Sequence, residues 1–79
     1  MAVTVRLFAA ARAAAGVSEL VVSAGTLESV LADAVAAGPG LVTVLPQCSF
    51  LLNEVSVREK HSVVNDGDVV DVLPPFAGG

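Results

Sequence analysis

One stretch of this chain has both the spacing and the length of a helix that can bury a face. Leu27, Val30, Leu31 and Ala34 fall at i, i+3, i+4 and i+7, which sets four apolar side chains on one stripe and leaves Asp33 turned away. Thr26 stands just before the stripe. Its hydroxyl can accept from the free N–H groups of the first turn, and Glu28 lies favourably near the positive end of the helix dipole. Gly38-Pro39-Gly40 ends the run, because proline cannot continue the hydrogen-bond ladder. A single helix of this kind needs a single apolar surface to cover, and the rest of the chain has to provide it.

The rest reads as short strands. Val3, Val5 and Leu7 alternate with Thr4, Arg6 and Phe8, the period-2 pattern of a half-buried strand over Ala2 to Ala9. Ala10 to Ala15 has high helix propensity but is too short for a stable isolated helix, so a helical turn or loop is expected up to Gly16. Glu19 to Ser23 is a β-branched run that can return antiparallel to the first strand. Leu41 to Cys48 is apolar without a clear period and contains Pro46, which predicts a packed connection. Phe50 to Leu52 and Val55 to Val57 flank Asn53-Glu54, the spacing of a tight hairpin in which Asn accepts positive φ. Asn65-Asp66-Gly67-Asp68 is a turn, and Val69 to Leu73 a last strand that Pro74-Pro75 terminates. The order strand, strand, helix, strands predicts an α+β roll of the β-grasp type, a small mixed sheet with one main helix on one face. It fills residues 1–75, with 76–79 as a flexible tail.

Composition narrows the function. With 79 residues there is room for one core and no second domain. Cys48 is the single cysteine, which excludes an internal disulfide and any zinc or iron–sulfur site built from cysteines, and places the chain in a reducing, cytoplasmic compartment. The formal charge is -4, and the four cations Arg6, Arg12, Arg58 and Lys60 do not make the clustered basic footprint that nucleic acid requires. Mean hydropathy is high, at +0.79. Polar residues nevertheless break every apolar run well before the roughly 18 residues of a membrane span, and Arg12 interrupts the place where a secretory signal would continue. The surplus of apolar side chains, 54% of the chain, points to a surface that another protein covers.

Most residues with chemical potential have plainer roles. His61, between Lys60 and Ser62, lacks the orienting carboxylate and nucleophile of a catalytic histidine and reads as a solvated turn residue. Cys48 has no neighbour in sequence to lower its pKa and reads as a half-buried structural thiol. Asp66 and Asp68 lack the further oxygen ligands of a calcium loop and read as turn chemistry. No metal site is expected. The tail is different: after Pro74-Pro75 the sequence runs Phe76-Ala77-Gly78-Gly79. The prolines stiffen its base, Phe76 can anchor it, and Gly78-Gly79 makes a tip thin enough to enter a narrow channel with a free α-carboxylate at Gly79. A carboxylate is a poor electrophile, so a partner has to activate it, most simply as an acyl-adenylate.

These features together resemble the ubiquitin-like sulfur carriers, and among them the small subunits of molybdopterin synthase. The resemblance rests on the opening strand ending in Phe8-Ala9, Arg12 before Gly16, the Thr26-Leu27-Glu28 helix entry, the Asp66-Gly67-Asp68 turn and the ending Pro74-Pro75-Phe76-Ala77-Gly78-Gly79. It implies a β-grasp fold, no bound cofactor, and no catalysis by the chain alone. It also implies adenylation of Gly79 by a ubiquitin-activating-type enzyme that uses ATP, conversion to a thiocarboxylate, and sulfur delivery to a pterin precursor in a large-subunit partner. Carriers for thiazole or cysteine synthesis, and protein modifiers conjugated through Gly79, share the same ending. In the β-grasp arrangement the first and last strands are neighbours, so Phe8 and Leu73 are expected to form a docking patch on the outer sheet face. Arg12 would stand at its rim, with Pro74, Pro75, Phe76 and Ala77 leading into the partner.

Overall fold

The helical stripe is buried where its periodicity puts it. The computed structural model describes residues 2–75. In chain order the elements are β1 (Val3–Leu7), α1 (Ala9–Ala15), β2 (Glu19–Val22), β3 (Gly25–Thr26), α2 (Leu27–Ala37), β4 (Ser49–Leu52), β5 (Val55–Val57), β6 (Val63–Val64) and β7 (Val69–Leu73). Two 3-10 turns, Pro39–Thr43 and Leu45–Gln47, make the connection after α2. Five strands form one sheet in the order β2-β1-β7-β4-β5. β1 and β7 pair in parallel at its centre, and the other pairs are antiparallel.

α2 lies across one face of this sheet. Leu27, Val30 and Ala34 are almost wholly buried, in one cluster with Val3, Val5 and Leu7 of β1 and Val70 and Val72 of β7. Leu31, at the edge of the stripe, is only half-buried. The start of the helix is fixed by a capping box. Thr26 Oγ1 accepts from the Ser29 N–H at 3.2 Å, while the Thr26 N–H donates to Ser29 Oγ at 2.9 Å, so two otherwise orphaned donors are satisfied.

Three local readings change. The alanine run is a true helix, Ala9–Ala15, where the sequence predicts only a turn or loop. Seven residues cannot hold a helix alone, but Ala11 is fully buried in the core and the element packs against the turn at Pro39–Thr43. At that contact Gly40 backs directly onto the Ala14 carbonyl, where any side chain would collide. Gly16 closes α1 at φ 80°, donating its N–H to the Arg12 carbonyl. The first strand stops at Leu7 and not at Ala9, because Ala9 takes φ 49° and turns the chain out of the sheet. Finally, β3 and β6 form a separate two-stranded ladder, too short to show alternation in sequence.

The hairpin of β4 and β5 has positive φ at both Asn53 (49°) and Glu54 (70°), the signature of the primed turn that matches strand twist. Asn53 also clips this hairpin to the last turn. Its side chain donates to Asp68 Oδ1 at 3.0 Å and accepts from the Val69 N–H at 2.9 Å.

Candidate functional site

Alternation along the two central strands separates a covered face from an open one. Val5, Leu7, Val70 and Val72 point into the core, so Arg6, Phe8, Asp71 and Leu73 lie on the opposite side of the sheet. Leu7 pairs with Val72, and the Phe8 N–H donates to the Val72 carbonyl at 3.3 Å. Phe8 therefore sits at the end of β7 from which the chain leaves the sheet. Ala9 turns away immediately after it, and Phe8 stays 36% exposed.

Arg6 and Asp71 are direct partners in the parallel ladder. Arg6 Nε donates to one carboxylate oxygen at 2.6 Å and Nη2 to the other at 2.8 Å, a bidentate ion pair. Asp71 raises the pKa of Arg6, first through this hydrogen bond and then through its charge. The guanidinium carbon also lies 5.9 Å from the centre of the Phe8 ring, within the range of a cation–π contact. A shallow cleft of about 180 Å³ opens here, lined by Arg6, Leu7, Phe8, Arg12, Ser18 and Glu19.

The residues singled out from sequence are placed as follows. Phe8 and Arg12 are exposed and line that one cleft, and Leu73 is half-buried on the same sheet face. Pro74 is a correction: it is buried in the chain's own body and contributes to the end of the fold, leaving Pro75 as the exposed member of the pair. Both prolines border a second cleft of about 300 Å³ with Ala10, Thr43, Val44 and Gln47. Phe76, Ala77, Gly78 and Gly79 lie outside the described residues.

Elsewhere the side chains are occupied structurally. Cys48 is half-buried, its Sγ donates to the Val44 carbonyl at 3.3 Å, and burial pushes the thiol pKa up, away from the nucleophilic thiolate. His61 is exposed, and its backbone N–H donates to Glu59 Oε1 at 3.3 Å. Asp68 accepts from the Asn53 side chain and, at 2.8 Å, from the Asn65 N–H, and both hydrogen bonds hold its pKa below the usual carboxylate value. Among the described residues no group of three His, Cys, Asp or Glu could hold a metal ion, and no helix is long and apolar enough to cross a membrane. The Arg6–Asp71 pair is the feature that sequence reading missed. Its signal was opposite charges at outward positions of two strands expected to be neighbours, but only a known register places them opposite each other.

Comparison with known proteins covers the whole chain. The sequence pattern of the ThiS family matches residues 5–79. A molybdopterin synthase sulfur carrier subunit from Chlamydomonas reinhardtii is 39% identical over 83 residues, covering 100% of both chains. Among solved structures, small archaeal modifier protein 1 from Methanosarcina acetivorans superposes with a TM-score of 0.87 at 28% identity, covering 99% of this chain and 96% of that one. A structure from Helicobacter pylori described as a complex of subunits 1 and 2 of molybdopterin-converting factor contains a chain that superposes with a TM-score of 0.77 at 29% identity, with 100% of both chains covered. From fold and sequence alike it follows that this chain belongs to the ThiS family.

Proposed function

We propose that the chain is a sulfur carrier for molybdopterin synthesis, working through the carboxylate of Gly79. A ubiquitin-activating-type enzyme joins that carboxylate to the AMP moiety of ATP and releases pyrophosphate. Sulfide from a sulfur donor then displaces AMP and leaves a thiocarboxylate. The large subunit of a molybdopterin synthase receives the tail and passes the sulfur to a pterin precursor. The chain carries the reacting group and contributes no catalytic side chain. The observation that carries this reading is the match to the ThiS family through residue 79, joined to a full-length relative named as a molybdopterin synthase sulfur carrier subunit. The body fits the role: Phe8 and Leu73 stand at the end of β7 from which the chain continues toward its last residues, so a partner resting on this face meets the point where the chain leaves the sheet.

The test is intact mass after incubation with the cognate activating enzyme, ATP and a sulfur source, and one oxygen-for-sulfur exchange at Gly79 is expected. Deleting Gly79 withdraws the carboxylate by about 3.5 Å, more than an attack geometry tolerates, so sulfur transfer is lost while folding and docking persist. Normal transfer by a chain extended by one residue, without trimming, would defeat the reading. A second reading, a protein modifier attached to lysines through Gly79, is favoured by the likeness to the archaeal modifier. Ladders of conjugates in cell extract would select it over the carrier.

A further inference from the structure

The cationic side chains of this protein are divided between its two ends. Three of the four are arginines, and Lys60 is the single lysine in 79 residues. β7 runs away from the turn at residues 65–68, and the chain leaves the sheet beyond Leu73. All three arginines stand toward that exit. Arg6 pairs with Asp71, and Arg12 lines the cleft beside Phe8. Arg58 lines a cleft of about 320 Å³ with Ser49 and Phe50, the ladder partners of Leu73 and Val72. Lys60 is at the opposite end. Its carbonyl accepts from the Glu28 N–H at 3.0 Å in the first turn of α2. It leads into β6, whose partner β3 follows the end of β2 that pairs with Val3, the first residue of β1. The five residues of β7 span about 14 Å, and the four residues beyond Pro75 extend about 14 Å at most. A tail doubled straight back along the sheet would therefore only draw level with the start of β7, whereas the arginines lie near its base.

Arg6 uses the guanidinium fork to take both oxygens of Asp71. Arg12 and Arg58 are exposed and make no ion pair among the described residues, so pairing there sets no demand that a lysine would fail. The chemistry of the tail does set one. We infer that the exit end carries arginine in place of lysine so that an activated Gly79 acyl group is not consumed by the chain's own body; the inference rests on the function proposed above. A guanidinium keeps its proton at neutral pH and offers no lone pair. A lysine, with a pKa of about 10.4, is a free amine in about one molecule in a thousand at pH 7.4, and tethering raises its effective concentration at the acyl group. Its nitrogen would bond to the Gly79 carbonyl carbon while the bond to AMP breaks, the electron pair leaving on the phosphate oxygen and one proton passing from nitrogen to water. The product is an amide closed on the carrier itself, with no carboxylate left to activate.

The experiment uses the full chain with Gly79 joined to a small thiol as a thioester, which stands in for the adenylate and keeps the test independent of any partner. Intact mass is followed at pH 8.5, and the site of any closure is mapped by peptide sequencing. The wild-type thioester is expected to hydrolyse. Arg58→Lys and Arg12→Lys should each form, at least about tenfold more than wild type, a product lighter than the free acid by one water and joined between the introduced amine and Gly79. Asp66→Lys, in the exposed turn before β7, should behave as wild type. Melting temperatures show which variants are folded, and either arginine variant suffices if the other fails to fold. Hydrolysis without closure in the folded arginine variants overturns this inference alone. So does closure of the wild-type chain on Lys60, or closure of Asp66→Lys as readily as Arg58→Lys, because position in the fold would then give no protection. A wild-type Gly79 left unmodified by an active cognate enzyme with ATP overturns the proposed function, and this inference with it.

Discussion

The two faces of β1 and β7 are built from alternate residues along the two strands and Phe8 just beyond β1, and they obey different rules. On the inner face Val5, Val70 and Val72 are fully buried and Leu7 is 2% exposed, and what matters there is volume and the absence of polar atoms. On the outer face the same strands present an ion pair and an aromatic ring that remains partly in water. The contrast separates the face that holds this small fold together from the face that the proposed function gives to a partner. A 79-residue chain has little core to spare, so the docking face proposed for it lies where substitutions cost less folding energy than under α2.

The comparison breaks first at the covered side. Leu27→Ala, under α2, should destabilise the fold by about 2–5 kcal/mol, a large share of what a domain of this size possesses, and denaturant titration measures it. The outer side should respond in the opposite sense. Phe8→Ala is expected to cost about 1 kcal/mol or less in stability while weakening large-subunit binding by about tenfold, read by calorimetry and by titration. A large fall in melting temperature with intact binding would place Phe8 in the core and erase the distinction. The smallest effect tests the clip between the hairpin and the last turn. Asp68 has its pKa lowered in the folded state by Asn53 and then Asn65, so its contribution is present above the unfolded value of about 4 and disappears as pH falls through the folded value. Asp68→Asn should therefore lower stability slightly at neutral pH, where the carboxylate's contribution is present, and flatten the acid limb so that variant and wild type converge as pH falls below about 4, as thermal melts across pH will show.

How legible each part was depended on how local its cause is. The stripe of α2, the turn at Asn53-Glu54 and the strand Val69–Leu73 were readable because their signals lie within a few neighbouring residues. The helix at Ala9–Ala15 was read too weakly, since its support comes from the turn at Pro39–Thr43, more than twenty residues away. Pro74 read as part of the exposed approach to the tail, yet it is buried, and nothing adjacent in sequence announces that.

By itself the sequence determined the α+β class, the helix with its capping threonine, and membership in a family recognisable by its motifs and its Gly78-Gly79 ending. Periodicity and turn chemistry act over one or two turns of chain, and the order of the residues records them in full. Tertiary structure alone decided that Arg6 and Asp71, separated by 65 positions, share one hydrogen-bonded pair beside Phe8. Alternation tells which side of a strand a residue occupies, whereas the register between two strands is set by the packing of the whole inner face against α2, and only that register brings these two charges together.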